Sequence, residues 1–422
     1  MNPLSKSKIS DIATSYAGGT PKRTVAGYYN GTIPWVKSGE INSVNIFSSE
    51  EKITDEGLRN SSAKLVEPGA ILVAMYGATA GKVGRLHIEA TTNQAVLSVR
   101  SKNSNVISND YLFWLLTFAS EELIKQCQGA AQPNLSKQLI DGYQILYPSI
   151  TEQQKIAEIL STVDKKIDLI DQKITETEKL KTGLMQKLFS EGVGVQDENG
   201  DWQPHTEFQK TPIGYLPEQW SIKSLEDVCK VKGGKRLPKG ETLISEKNEH
   251  PYIRVSDMFM GGVALNDIQY VPEHVVDKIK NYTIGKNDLF ISVAGTLGIV
   301  GKVPEQLDGA NLTENADKLT DIKCNIDYMY YYLCSEKIQS TIDKLKTVGA
   351  QPKLALTRIK QFTFIEPSPK EQQKIATILS SVDQKLELLR TQKSETQQLK
   401  KGLMQKLLTG EWRVPVEETE AA

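Results

Sequence analysis

Four cysteines and four histidines are few for 422 residues, and neither type is clustered. Cys127, Cys229, Cys324 and Cys334 form no CxxC pair, so the spacing of a zinc knuckle or a disulfide framework is missing. They read as structural thiols of a reducing compartment. His87, His205, His250 and His274 supply neither an HExxH helix nor a metal-ligand cluster. No Pro-Pro dipeptide occurs, which removes the Asn/Asp-Pro-Pro-aromatic loop of an adenine methyltransferase. No Pro-Asp occurs either, nor a GxSxG elbow, so the common nuclease and hydrolase signatures are absent. Together these gaps argue against autonomous chemistry. No run reaches the roughly 18 apolar residues of a membrane span, and the N-terminal MNPLSKSKISDIATSYAGG lacks a signal-peptide core. A cytoplasmic chain is expected. The net charge is −1, which weighs against a chain that grips nucleic acid unaided. Hydrophobic residues at 39% and charged residues at 24% are ordinary for a globular protein, and the length fits two or three domains.

What the sequence does have is a copy of itself. EQQKIAEILSTVD (152–164) recurs as EQQKIATILSSVD (371–383), with 11 of 13 positions identical at an offset of 219. At the same offset GLMQKL (183–188) recurs at 402–407 and AQP (131–133) at 350–352. Upstream the likeness survives in outline only: IPWVKSGEI (33–41) faces HPYIRVSDM (250–258), and NDYLFWLLT (109–117) faces IDYMYYYLC (326–334). There the offsets drift between 217 and 221, the mark of loop insertions on a shared scaffold.

The preserved segments carry a heptad stripe. Ile156, Leu160, Val163, Ile167, Ile170 and Ile174 step by four and three, and Leu180, Leu184 and Leu188 resume the stripe. In the second copy Ile375, Leu379, Val382, Leu386 and Leu389 keep the step until Lys393 interrupts it, and Leu399, Leu403 and Leu407 resume it. So narrow a stripe buries itself against another helix. Residues 151–192 hold seven basic and eight acidic side chains, a balanced face unsuited to lying along DNA. A single copy would suit a helix packed on its own domain. Two matched copies complement each other, and antiparallel pairing would give the chain an approximate two-fold axis. The fold class expected is α+β: two mixed α/β domains separated by two long helices in a pseudo-two-fold antiparallel coiled coil. The boundaries are a first domain 1–150, helix 151–192, linker 193–219, a second domain 220–369, helix 370–412 and a tail 413–422.

Each domain opens on a glycine pair beside cations, GGTPKR (18–23) and GGKRLPK (233–239), suited either to close approach of a phosphate or to a solvated turn. AILVAMY (70–76) and DLFISVAG (288–295) read as buried strands, and DYLFWLLTFASEELIKQC (110–127) as a helix whose Trp114, like Tyr330 in the second half, belongs to the core. YGATAGKV (76–83) falls short of a nucleotide-binding P-loop: Gly77 stands one residue too close, and Val83 replaces the hydroxyl that would hold magnesium. A turn between strands explains it and its counterpart around Gly301 better. The candidates for DNA contact are Lys22, Arg23, Lys37, Lys82, Arg85, Asn93 and Gln94 in the first half. In the second they are Lys235, Arg236, Lys239, Arg254, Lys302 and Asn315. Arginine and lysine pair with guanine edges or phosphates, and asparagine and glutamine with adenine edges, though all of them also brace turns.

The repeated AQPNLSKQLIDGYQILYPSITEQQKIAEILSTVD (131–164), together with GLMQKLFSEG (183–192), GLMQKLLTGEWR (402–413) and TPIGYLPEQW (211–220), resembles the specificity (S) subunit of Type I restriction–modification systems. That resemblance covers the whole chain. It implies two target-recognition domains, each reading half of a split double-stranded DNA target, and paired helices that set the spacing. It implies two methyltransferase (M) subunits docked on residues 152–190 and 371–409, and two restriction (R) subunits in the full complex. It further implies that this chain binds no cofactor, with S-adenosylmethionine, ATP and Mg on the partner subunits. The first half starts without the LPEQW lead-in of the second, which leaves the docking of its N-terminus open. The competing readings are a lone ATPase or methyltransferase, and a coiled-coil adaptor that binds only proteins.

Overall fold

The computed structural model describes residues 3–42, 44–126, 134–345 and 353–416. The repeated AQP strings and Cys127 lie outside them. Packing divides the chain into two units, Met1–Gln172 with Arg390–Ala422, and Lys173–Leu389. Each unit therefore takes half of each long helix, where the sequence pattern set the helices apart as separate segments.

In the first unit a five-stranded sheet runs in the order Ala13–Ala17, Val96–Ser101, Ile71–Ala74, Val83–Leu86 and Asn45–Ile46. The second unit repeats the first four places with Lys230–Gly233, Ala316–Thr320, Leu289–Ser292 and Val300–Lys302. All the pairings among those four are antiparallel in both units. Ile71–Ala74 and Leu289–Ser292 are apolar and buried at every position but a serine, as befits central strands covered on both faces. A smaller sheet in each unit contains one parallel pair, Trp35 opposite Thr91 and Tyr252 opposite Asn311. The lead-in strand also docks alike: Ser5–Lys8 pairs with Gln144–Tyr147 as Ser221–Ser224 pairs with Thr363–Glu366. Strand pairing at the start of the first domain thus matches that of the second.

The helix over Asn109–Gln126 lies where the sequence placed it, and Ile326–Leu333 with Glu336–Lys344 is its broken counterpart. Trp114 and Tyr330 are core residues. The two long helices, here called stalk helices, run over Ile150–Leu188 and Pro369–Leu408. Soon after each comes a glycine in the left-handed region, Gly192 (φ +75°) and Gly410 (φ +76°), where a side chain would strain the turn that stops the helix.

The stalk helices pair antiparallel. In the first unit Asp164 bonds Lys400 and Asp171 bonds Lys393 at 2.6 Å, so one number rises as the other falls. In the second unit Lys181 meets Asp383 at 2.6 Å. Within the first unit the residue numbers add to the same total in both pairs, so the two share one register. The offset of 219 carries Asp164–Lys400 onto Asp383–Lys181, the pseudo-two-fold exchange expected of a duplicated helix. Ile156, Leu160, Ile167, Ile170, Leu188, Ile375, Leu379, Leu386, Leu389 and Leu407 are buried, with Val163, Ile174, Leu184, Val382 and Leu403 half-buried. The helix ends do a second job. Ile156 and Leu160 share the first domain's core with Met404, Leu407 and Leu408, and Ile375 and Leu379 share the second's with Leu188 and Phe189.

One part of the stripe needs correction. Leu180 and Leu399 are 54% and 55% exposed, so they are not seam residues. Counting the four-three step without a break leads instead through Thr177 and Lys181, and through Lys393, Thr396 and Lys400. Thr177 and Thr396 are buried, and each hydroxyl donates to the carbonyl four residues back, Lys173 O and Gln392 O, which satisfies it inside the seam.

Candidate functional site

The identical residues that open both stalk helices are polar and buried, a combination that requires partners. Glu152 accepts from Arg413 at 2.9 and 2.8 Å and from the Val414 amide at 2.9 Å. Its counterpart Glu371 accepts from the amides of Val193 and Gly194, from Trp220 Nε1 and from His205 Nε2, at 2.8–3.0 Å. Each glutamate therefore clasps the chain just beyond the C-terminal end of the other stalk helix. The next residues, Gln153 and Gln372, are buried too. Gln153 bonds Ser108 N, Val106 O and Pro148 O, and Gln372 bonds Asn325 N and Pro367 O, tying each stalk to the α/β domain of its own unit. The repeated EQQ was the signal for these roles, although the pattern alone did not reveal them. The linker 193–219 is folded as two hairpins, Val195–Gln196 with Trp202–Gln203 and Phe208–Thr211 with Gly214–Pro217.

Burial raises the Glu152 carboxyl, but the Arg413 bond, the Val414 amide and the Arg413 charge together take it below its ordinary 4.5. A depressed carboxylate stabilises the fold above its unfolded value, and that contribution is lost as pH falls through the lower folded value. Acidification from 4.5 downward is therefore expected to release the segment from Arg413 onward before the first unit unfolds. Protease cleavage near Arg413 as a function of pH measures it, and Glu152→Gln should remove the dependence.

The glycine pairs serve packing rather than phosphate. Gly18 N and Gly19 N donate to Val96 O and Thr92 O, and Gly234 N and Lys235 N donate to Ala316 O and Leu312 O, so these amides are already used. A Cβ on Gly18 would collide with the Thr92 carbonyl, and one on Gly234 with the Thr313 carbonyl. YGATAGKV forms the turn between the antiparallel strands Ile71–Ala74 and Val83–Leu86, with Gly77 at φ +83°. A phosphate-binding loop instead opens a helix. The second copy turns likewise between Leu289–Ser292 and Val300–Lys302, with Gly295 at φ +76°.

The structure divides the candidate DNA contacts into two groups. Lys22, Lys82, Gln94, Lys235, Arg236 and Lys239 are exposed. Among these Gln94 accepts from the Thr20 hydroxyl, Lys235 lies 5.6 Å from the Tyr282 ring, and Arg236 is 3.7 Å from Glu314. The others are engaged within their own domain, Arg23 while remaining exposed. Arg23 bonds Glu51 at 2.7 Å and lies over the Tyr29 and Trp35 rings. Lys37 bonds both Glu50 and Glu51. The Glu51 hydrogen bond, more than its charge, holds the Lys37 and Arg23 cations above their ordinary pKa. Arg254 is gripped by Asp257 at 2.6 Å and Asp267 at 3.0 Å. Arg85 lies 3.9 Å above the Phe113 ring and 3.6 Å from Asp110, and Lys302 bonds Asp327. Asn93 and Asn315 are half-buried in the turns, where the Asn93 amide donates to Val36 O and the Asn315 carbonyl accepts from Val293 N.

A duplicated α/β domain on a duplicated stalk can be compared with known proteins. The model for the Type I restriction modification DNA specificity domain matches residues 1–179 and 217–398. The chain belongs to that family. It is a DNA-recognition subunit of a type I restriction–modification system and not itself an enzyme, and the adaptor reading falls away. Over 416 residues it is 26% identical to the Type I restriction enzyme MjaVIII specificity subunit of Methanocaldococcus jannaschii, covering 96% of this chain and 92% of that one. Two solved structures share the fold. The type I S subunit from M. genitalium matches with a TM-score of 0.55 at 17% identity, over 97% of this chain and 99% of its own. A chain solved in work on complex assembly and conformational transition of the type I R-M system matches at 0.62 and 15%, over 98% and 99%. The partners of such a subunit are, in general terms, DNA and the other subunits of the system. The family carries no cofactor of its own. Among the described residues no cluster of His, Cys, Asp or Glu is placed to hold a metal ion, and no helix is long and apolar enough to cross a membrane.

Proposed function

We propose that each recognition domain of this specificity subunit reads one half of a bipartite duplex target, with the paired stalk helices setting the gap between the halves. The observation that carries this reading is the double use of one scaffold: the same four-strand order and the same stalk clasp occur twice, beneath different turns and different exposed cations. A reader of this kind aims two unlike surfaces at DNA, and half-sites about one helical turn apart would present both on one face of the duplex. Lys22, Lys82, Gln94, Lys235, Arg236 and Lys239 are the contacts we assign to DNA, because they are exposed and none is held in an ion pair closer than the 3.7 Å of Arg236 with Glu314.

Two methyltransferase subunits dock on the stalk, one per repeat, and two restriction subunits complete the full complex. S-adenosylmethionine, ATP and Mg bind to those partners, in the cytoplasm where the DNA is. Exposed leucines support two equivalent docking faces. Leu169 and Leu388 are 55% and 57% exposed and occupy equivalent positions, as do Leu180 and Leu399. Many exposed stalk positions differ between the copies, Glu158 against Thr377 and Lys165 against Gln384 among them, whereas these leucines are identical. The first unit presents Leu169 with Leu399, and the second presents Leu388 with Leu180. An exposed apolar residue kept in both copies suits a surface that a partner covers.

Exchange of residues 1–150 for the same domain of another member tests the proposal. The methylated sequence should change in one half only, with the other half and the gap intact. Change in both halves would contradict it, as would change in neither.

A further inference from the structure

The stalk seam contains a residue that a coiled coil normally avoids. Lys181 and Lys400 stand where the heptad step calls for an apolar side chain, and both copies of the repeat keep them. A polar residue at such a position costs stability and is retained for what it specifies. Here each lysine faces two ways. In the first unit Lys400 bonds Asp164 across the seam and lies 4.9 Å from the ring of Trp114, on the recognition domain's own helix. Trp114 Nε1 donates to Ser161 on the stalk at 3.3 Å, and Phe113 meets Trp114 edge-on at 4.9 Å. Phe113 in turn carries the Arg85 guanidinium 3.9 Å above its ring.

The second unit builds the same chain of contacts from different residues. Lys181 bonds Asp383 at 2.6 Å and lies 5.7 Å from the ring of Tyr331, whose hydroxyl donates to Asp383 at 2.9 Å. Tyr330 sits 4.9 Å from Tyr331, with Lys302 at 5.4 Å over its ring. On the stalk side the residues are identical in both units. On the domain side only the chemistry is kept: an aromatic pair on the helix, then a cation on the adjoining strand. The recognition domains have diverged in their turns and exposed side chains, yet both junctions keep the lysine–aspartate pair, the aromatic pair and the strand cation, with Tyr331–Asp383 in place of Trp114–Ser161.

We infer that the lysine–aromatic junction fixes the orientation of each recognition domain on the stalk of its own unit, making Lys181 and Lys400 positioning residues for half-site spacing. The spacing role rests on the bipartite reading above, while the junction itself does not. It follows that a transplanted recognition domain must bring its own aromatic to the position of Trp114 or Tyr331.

The test uses Lys181→Met and Lys400→Met, which fill the seam with an apolar side chain of similar length, and Lys→Arg at each position as the conservative variant. In the complex with the methyltransferase partner, methylation is measured on DNA carrying the native half-sites with the gap shortened by one base pair, unchanged, or lengthened by one. The Met variants should lose about tenfold in preference for the native gap, as expected for losing a partly desolvated cation–aromatic contact. The half-site bases should stay the same, and Lys→Arg should restore the preference. Amide exchange on the free full-length chain gives an independent readout. Lys400→Met should accelerate exchange over Asn109–Gln126 several-fold, and Lys181→Met over Ile326–Leu333, each leaving the other unit unchanged. Unchanged exchange in both variants overturns the junction whatever the DNA result. Accelerated exchange with full gap preference overturns the positioning role. If exchange accelerates but the wild-type complex shows no gap preference, the junction stands and the bipartite reading fails.

Discussion

Glu371→Ala should destabilise the second unit by about 3–5 kcal/mol, because several buried donors lose their acceptor at once and each left unpaired costs about 1–3 kcal/mol. Glu371 is 1% exposed and receives four donors, so its removal strands the amides of Val193 and Gly194, the Trp220 indole and His205 without acceptors. A buried donor left unpaired costs its desolvation in full, and no other carboxylate reaches this cluster among the described residues. The expected signature is regional. The denaturation midpoint of the second unit falls, and proteolysis between residues 190 and 220 accelerates, because the glutamate is what ties the return segment to the stalk. Glu371→Gln should recover part of the loss, since an amide oxygen still accepts. A midpoint within about 0.5 kcal/mol of wild type, the usual range for surface substitutions, would show that the segment is held by other contacts.

Ile167→Asp should cost a similar amount, about 3–5 kcal/mol, by placing an unpaired carboxylate in the seam of the first unit. Ile167 is 8% exposed and lies between Asp164 and Asp171, which already occupy Lys400 and Lys393. A third acid there finds both lysines engaged and two like charges nearby. The recognition domain should stay folded, because the core that its sheet and the helix over Asn109–Gln126 share with the stalk ends Ile156, Leu160 and Leu407 does not include Ile167. Urea unfolding followed at Trp114 against far-ultraviolet circular dichroism separates these parts. Coincident, unshifted transitions would show that the stalk does not depend on this seam.

The duplication, the mixed domains and the pairing of the stalks were legible in the sequence because each rests on periodicity, and periodicity survives without coordinates. The details that failed depend on which side chain meets which. Leu180 and Leu399 looked like seam residues because leucine is apolar; the unbroken four-three count runs through Thr177, Lys181, Thr396 and Lys400, residues a search for aliphatic side chains passes over. Lysine is tolerated there only because Asp164 and Asp383 stand opposite, a fact of register. Arg254 shows both limits at once. Its partner Asp257 lies only three residues away yet went unread, and Asp267 arrives through the fold. Arg85 and Lys302 were indistinguishable from exposed cations until strand pairing brought Phe113 and Tyr330 beneath them. The glycine pairs suggested approach of a phosphate or a solvated turn, whereas what approaches is a carbonyl of the same domain, at Thr92 and at Thr313.

Mapping every methylated adenine in a host that carries this chain with its methyltransferase partner tests the central claim most directly. The account predicts two short specified half-sites, one methylated adenine in each, separated by an unspecified gap of constant length. A single uninterrupted motif, or a gap that varies freely from site to site, would contradict it.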